Sequence, residues 1–337
     1  MKKIYDVAIV GAGPAGLNAA LQASWLKLSA ALIDENIGHI KRLSRIRFAD
    51  KMYNVPGYHK KSGRDLLKDM EQVLDDHKDC VDRFYESKAI SLVRKKGIYS
   101  LITKVIKSGL RREIRAKAVI VATGVEDLQP EIHNHPKLKA ILPIFPYANS
   151  GLVYYCQVCD GSSTAGKSVG VLGHSSETTG LAVSLVENFG ARTVSIITHG
   201  KKLLQGQDLN QQEKDKIIDK LRRMEIPIYE SRIADLYGLR EKRFGLVLSD
   251  GRKIDFDKGF AAFGWYKINK DLVESFEPKS DVEGFMMTDD DRQLLTSKGK
   301  PIEGLYVVGD LTNDWKQVDI AWAHAKTAVL HLWKTYL

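Results

Sequence analysis

Short apolar runs closed by glycine alternate with amphipathic stretches along this chain, the pattern of strands and helices in turn. Residues 5–10 read as a strand, followed by Gly11-Ala12-Gly13-Pro14-Ala15-Gly16, an apolar helical stretch through Leu21 and Leu26, and a second strand at 30–33. The spacing of Leu66, Leu67, Met70, Val73 and Leu74 predicts a helix over 63–80 with one apolar face. Alternating segments at 89–93, 99–105 and 112–116 predict an antiparallel meander, and the continuous apolar run 118–121, leading into Ala122-Thr123-Gly124, a buried strand. Beyond a connection at 130–146 that carries prolines and histidines, the opening pattern recurs. A strand at 168–172 meets a turn at Gly173, a helix covers 181–186 and a strand 193–197, and a helix at 210–223 leads into a meander that ends near 254. The chain returns through 260–264, forms a buried strand over 304–310 and ends in an amphipathic helix from about 317 to 333. The predicted class is α/β: two Rossmann-like three-layer dinucleotide-binding domains, the second inserted in the first, with segments 1–125, 126–253 and 254–337.

The first turn has the chemistry of a pyrophosphate site. Gly11 allows the tight turn, Gly13 lets backbone approach phosphate, and Gly16 lets helix and strand pack, so the helix N-terminus is aimed at the anion. Asp34 ends the next strand 18 residues after Gly16, where an acid binds a ribose hydroxyl pair. A lone glycine motif is weak, but here strand, helix, second strand and acid fall in order. In the second copy Gly173, Ser175 and Thr178 stand where Gly11, Gly13 and Gly16 stand in the first. Side chains replace backbone at the phosphate position.

Two of the three cysteines, Cys156 and Cys159, form a Cys-x-x-Cys pair followed by Asp160. At that spacing one thiolate attacks a partner disulfide and the other resolves the intermediate, while Asp160 is placed to move a proton to or from a departing thiolate. Half of a structural zinc site is the other reading, but such a site needs four ligands and the remaining cysteine, Cys80, has no partner beside it. No apolar run approaches a membrane span, and Asp6 falls inside what would be a signal core. The chain therefore reads as cytoplasmic, where a thiol pair cycles rather than staples.

Composition is that of a globular protein, 44% hydrophobic and 28% charged over 337 residues, enough for two domains. The formal charge of +9 favours acidic proteins, an anionic membrane surface or nucleic acid as partners. Lys41, Arg42, Arg45, Arg47, Lys51, Lys60, Lys61 and Arg64 concentrate it against the single acid Asp50. No fold signature for nucleic acid accompanies the charge.

Four stretches, GAGPAG at 11–16, ATG at 122–124, CQVCDG at 156–161 and GLYVVGD at 304–310, occur in an order that resembles the thioredoxin reductase family of flavoprotein disulfide oxidoreductases. The resemblance implies a FAD domain built from both chain ends, a smaller inserted domain bearing the cysteines, and a homodimer. By the same likeness Gly11, Gly13, Pro14, Ala15, Gly16, Asp34, Asn54, Thr123, Gly124, Gly309, Asp310 and Gln317 are expected FAD contacts. Cys159 is expected to face the flavin, Cys156 to meet the disulfide of a protein such as thioredoxin, and Asp160 to act as acid and base.

The departures lie in the second nucleotide unit. The family binds NADPH there through a glycine-rich turn and a pair of arginines, whereas this chain has Gly173-His174-Ser175-Ser176-Glu177-Thr178 and then Thr198-His199-Gly200. Without the arginines the 2′-phosphate loses charge-assisted bonds that Lys201 and Lys202 restore only in part. The expectation is a FAD-containing thiol/disulfide oxidoreductase that does not depend on NADPH, resembling ferredoxin-dependent thioredoxin reductases or the diflavin-linked disulfide oxidoreductases of cyanobacteria. Gly173, Ser175, Ser176 and Thr178, with Thr179, are candidates to hold a second FAD, the serine and threonine hydroxyls reaching its phosphates. Alternatives are an acidic ferredoxin docked on the basic stretch, an NAD(P)H-dependent thioredoxin reductase, a flavin reductase of the same fold, whose members lack the cysteine pair, and a non-catalytic flavin module.

Overall fold

A computed structural model of the chain describes residues 3–35, 45–132, 142–263 and 267–336. From the N-terminus come β1 (Ile4–Val10), α1 (Pro14–Trp25), β2 (Ala30–Ile33), α2 (Gly63–Asp75), β3 (Val81–Phe84), β4 (Ser87–Lys95), β5 (Ile98–Val105), β6 (Arg111–Val121) and β7 (Val125–Glu126). Next are α3 (Phe145–Asn149), β8 (Val153–Tyr154), α4 (Gln157–Asp160), β9 (Ser168–Leu172), α5 (Ser176–Glu187), β10 (Thr193–Ile197) and α6 (Gln211–Arg223). Strands β11 (Ile228–Tyr229), β12 (Ile233–Tyr237), β13 (Phe244–Leu248), β14 (Lys253–Phe256) and β15 (Lys258–Ala261) follow. The last stretch carries β16 (Lys267–Ile268), β17 (Gln293–Leu295), β18 (Pro301–Val307) and α7 (Val318–Tyr336).

The chain divides into two units, one of residues 1–47, 64–126 and 267–337, the other of 48–63 and 127–266. In the first unit β18, β6, β1, β2 and β3 run parallel in that order, with β17 antiparallel at the edge. Val7, Ala8 and Ile9 point to alternate faces and are all wholly buried, so both faces of the sheet are covered. In the second unit the parallel order is β11, β10, β9, β15, β8, beside an antiparallel sheet of β12, β13 and β14. The first sheet reverses its winding at β1, which lies between β2 and β6, and the second at β9, which lies between β10 and β15. Ligands of such sheets bind at the carboxyl ends of the strands at this reversal.

Two expectations are corrected, those for β6 and for α2. Segments 112–116 and 118–121 are one strand, β6, whose first half pairs antiparallel with β5 and whose second half pairs parallel with β1 and β18. Lys117, which breaks the apolar pattern, is exposed and bonds Asp6 Oδ1 at 2.8 Å, so Ile114, Ala116 and Ala118 continue one alternation through it. Helix α2 stops at Asp75, and Val73 flanks its buried stripe with 42% exposure. By its contacts the second unit spans 127–266, with β15 paired to both β9 and β8. Residues 133–141 of the 130–146 connection lie outside the described residues. Lys41 and Arg42 of the basic stretch lie outside them as well. No described helix is long and apolar enough to cross a membrane.

Candidate active site

The turn after β1 is shaped by close backbone approach. Gly11 has φ +106°, and a Cβ there would fall 2.4 Å from Ala122 O; one on Gly16 would fall 1.7 Å from Gly11 O. Only hydrogen fits at either place. Helix α1 starts at Gly13 with no side-chain cap, Pro14 in its first turn and no acid there. Its first N–H groups are thus open to an anion. Asp34 Oδ2 accepts from Ala12 N at 2.6 Å, bringing the strand-end acid to the turn. Thr123 and Gly124 are held by a residue the sequence did not mark: Asn269 O accepts from Thr123 Oγ1 at 2.7 Å, Asn269 Nδ2 donates to Thr123 O at 3.2 Å, and Asn269 N donates to Gly124 O at 3.2 Å. Gly309 (φ +70°) meets the same turn, since a Cβ on it would come within 3.0 Å of Ala15 Cβ. Gln317 O accepts from Ala321 N in the first turn of α7. Asn54 lies in the 48–63 loop, which groups with the second unit.

The second unit repeats this turn hydrogen bond by hydrogen bond. Gly11 N donates to Ile33 O at 2.8 Å and Gly173 N to Ile197 O at 3.0 Å; Ala122 N donates to Val10 O at 2.8 Å and Ala262 N to Leu172 O at 2.7 Å. Asp34 N reaches Phe84 O as Thr198 N reaches Tyr229 O, so Thr198 occupies the place of the acid. The helix start differs. Thr178 N donates to Ser175 Oγ at 3.3 Å, and Thr178 Oγ1 accepts from Ser175 N at 3.2 Å and donates to Ala262 O at 2.7 Å. Ser176 N and Oγ donate to Gln207 Oε1 at 3.3 and 3.0 Å, and Thr179 Oγ1 donates to Ser176 O at 2.7 Å. The four hydroxyls expected to reach a phosphate are therefore engaged by other groups of the second unit, in the turn itself and at Gln207 and Ala262, and Glu177 falls in the same first turn of α5. Beyond β10 the Thr198 hydroxyl turns to Lys201 O, His199 Nδ1 accepts from Ile233 N at 3.0 Å, and Arg232, unmarked in the sequence, packs its side chain on Gly200. His174 Nδ1 is buried with no hydrogen-bond partner among the described residues, and burial together with Lys201 pushes that ring below the usual histidine range.

Cys156 and Cys159 are joined in a disulfide with Cα atoms 5.3 Å apart. Cys156 caps α4, its Sγ accepting from Cys159 N at 3.1 Å, and Asp160 N donates to Cys156 O at 3.0 Å. Gln157 fixes the turn to α5 by donating to Ser184 Oγ at 2.5 Å, whereas Val158 between the sulfurs is 55% exposed. Gly161 is needed because a Cβ there would come 2.7 Å from the Phe189 ring. Tyr155 donates to Gln129 Oε1 at 2.9 Å and packs on Phe48, which stacks on Phe145 at 4.9 Å. Cys80 is a free thiol in the first unit.

Residues 5–325 match the family described as pyridine nucleotide-disulphide oxidoreductase. The chain belongs to that family. It is 27% identical over 318 residues to a thioredoxin reductase of Mycoplasmopsis pulmonis, covering 92% of this chain and 90% of the relative. It is 26% identical over 315 residues to a 34.2 kDa protein in the rubredoxin operon of Clostridium pasteurianum, with the same coverage of 92% and 90%. The fold matches the crystal structure of thioredoxin reductase from Streptococcus pyogenes MGAS5005 with a TM-score of 0.78, at 22% identity over 99% of this chain and 98% of that one. The protein is a thioredoxin reductase-like disulfide oxidoreductase, and the family implies FAD. The first unit's residues fit that group: an uncapped helix start, glycines where no Cβ fits, and an acid at the end of β2 are the features a dinucleotide requires.

Proposed function

We propose that this protein exchanges electrons between FAD and the Cys156–Cys159 disulfide, and through that pair with a thiol/disulfide protein of the thioredoxin kind, with NADPH a poor donor. The observation that carries the reading is the contrast between the two turns: α1 starts open, whereas α5 starts closed by Ser175 and Thr178 with Glu177 beside them. A nicotinamide pyrophosphate at α5 would have to displace those bonds and lie against a carboxylate. Lys201, Lys202 and Arg232 leave positive charge past β10, without the paired fork that holds a 2′-phosphate.

FAD, when bound, supplies the two-electron carrier, with Gly11, Gly13, Gly16 and Asp34 holding its pyrophosphate and ribose and Thr123, Gly124, Gly309, Asp310 and Gln317 around the rest. The protein's own part is thiol chemistry. Two electrons and two protons open the disulfide into two thiols. The Cys156 thiol gives its proton to Asp160, and the thiolate, which already has the Cys159 N–H as donor, attacks one sulfur of a partner disulfide and releases the other as a thiolate, to which Asp160 passes that proton. The Cys159 thiol then gives its proton to Asp160 and attacks Cys156 Sγ, which closes the pair again and frees the second partner sulfur to take that proton. The partner gains two electrons and the enzyme loses two; every step runs in reverse.

A second reading, that the second unit holds its own FAD, is favoured by His174, whose buried Nδ1 has no partner in the turn. Such a flavin would use His174 and the cations past β10 rather than the closed hydroxyls.

Anaerobic spectra of the bound flavin test the main reading. Dithiol is expected to bleach it in the wild type and not in Cys159→Ser, and micromolar NADPH is expected to reduce it slowly. Bleaching at the wild-type rate in the variant defeats the coupling, and fast reduction by NADPH defeats the cofactor assignment.

A further inference from the structure

The chain is held on both sides of Cys156 and Cys159. Ahead of the pair, the Lys258 ammonium donates to the Gly151 carbonyl and lies 5.1 Å from the centroid of the Tyr154 ring, and Tyr155 donates to Gln129 Oε1. Beyond the pair, Ser163 Oγ donates to Asp160 O at 2.7 Å and Thr164 Oγ1 to Gly161 O at 2.6 Å. Two residues stand between the sulfurs, and their surroundings differ. Val158 is exposed, whereas Gln157 Nε2 donates to Ser184 Oγ in the last turn of α5.

Ser184 is well fixed for that task. Its Oγ also accepts from Asn188 Nδ2 at 2.9 Å, and its carbonyl accepts from Asn188 N at 2.8 Å and from Phe189 N at 3.3 Å. Phe189 is the residue whose ring lies against Gly161. The end of α5 therefore meets the redox turn twice, at Gln157 inside it and at Gly161 just after it. The helix is itself anchored, since Ala182 and Leu185 are wholly buried in one cluster with Val169 and Val171 of β9 and Val194 and Ile196 of β10.

We propose that Ser184 is a positioning residue for the thiol pair: by holding Gln157 it keeps the opened turn in the shape from which the disulfide recloses, and so lowers the reduction potential of the pair. This rests on the reading that the pair opens and closes. Opening takes two electrons and two protons and replaces one covalent bond by two thiols, so the sulfurs are then kept near each other by the turn alone. A side-chain tie on a residue between them does not depend on the covalent bond. It raises the effective concentration of one thiol at the other, which favours the closed pair and speeds the attack of Cys159 on Cys156 Sγ.

The test uses flavin-loaded protein in a Cys80→Ser background, equilibrated under argon with reduced and oxidised dithiothreitol in graded ratios, the reagent dithiol passing two electrons and two protons to the pair. Thiols are trapped with acid, alkylated with a maleimide and counted by mass. Ser184→Ala is expected to weaken closure roughly threefold, a rise of about 14 mV in the potential, since a tenfold change in a two-electron equilibrium is about 30 mV and a neutral hydrogen bond is worth ~1 kcal/mol. Gln157→Ala, which removes the other partner, is expected to shift the midpoint equally, the double variant no further, and Ser184→Thr, which keeps a hydroxyl, to titrate with the wild type. A Ser184→Ala midpoint that overlays the wild type, a double variant that shifts by the sum of the singles, or a Thr variant that shifts as Ala does overturns the proposal. Should Ser184→Ala not fold, Gln157→Ala makes the same test, and no movement of its midpoint overturns it. Failure of dithiol to bleach the wild-type flavin would defeat the functional reading while leaving the thiol counts measurable, so the two failures are distinct.

Discussion

His324 is only 3% exposed, with Nε2 3.2 Å from Asp314 Oδ2 and a buried Nδ1 that has no partner among the described residues. Burial first and Arg292 second push its pKa from 6.5 down to about 4, against the pull of Asp314, so the ring is neutral in the native protein at neutral pH. A histidine depressed in the folded state binds its proton more readily when unfolded. Its stabilising effect is therefore complete above about pH 6.5 and is lost as pH falls toward 4, by about 3 kcal/mol in all. Melting temperatures should drop between pH 7.5 and 5, with a clearly smaller drop in His324→Gln; equal drops would show that another group governs this window. At this scale the residues legible in the sequence were those whose partners are close in the chain, such as Cys156 with Cys159. Asn269, Arg232, Ser184 and Lys258 were not, because each acts on a residue 27 or more positions away.

Helices α1 and α5 occupy equivalent places in their units and start in opposite ways. At α1 the first N–H groups have no side-chain acceptor because the N-cap is Gly13; at α5 the N-cap Ser175 and its third residue Thr178 satisfy each other. Gly13→Ser would give α1 such a cap and place a side chain where phosphate oxygens approach. With each displaced hydrogen bond worth ~1 kcal/mol, FAD affinity should fall tenfold or more, read as flavin lost on gel filtration. Retention of flavin at the wild-type level would mean that the helix start is not the pyrophosphate site. Apolar spacing marked a helix in both places but gave only 181–186 of α5, missing its first turn from Ser176, and it is silent on capping, which depends on φ, ψ and side-chain rotamers.

The matching hydrogen bonds at Gly11 and Gly173, at Ala122 and Ala262, and at Asp34 and Thr198 make the molecule a duplicated nucleotide-binding unit whose copies have diverged at the site itself. With one open and one closed turn, the main reading expects one flavin released per denatured chain. A count approaching two after incubation with excess FAD would establish the second reading, with His174→Leu expected to bring it back to one. A count of one that His174→Leu leaves in place sinks the second flavin.

What the sequence by itself determined are the features written in local order: a βα unit with its glycines and acid, a degraded second copy, a thiol pair between them, and a family likeness that the match over 5–325 establishes. Strand and helix periods are short-range properties, and a Cys-x-x-Cys turn is only four residues long. Tertiary structure alone decided that β6 is one strand serving two kinds of neighbour, that β15 belongs with β9 and β8, and that the 48–63 loop groups with the cysteines. It also decided that the Ser175 and Thr178 hydroxyls of the second turn bond each other and that Lys258 donates to the Gly151 carbonyl, ahead of Cys156. Those outcomes depend on which donor finds which acceptor once distant segments pack together, a competition settled by geometry that residue spacing does not encode.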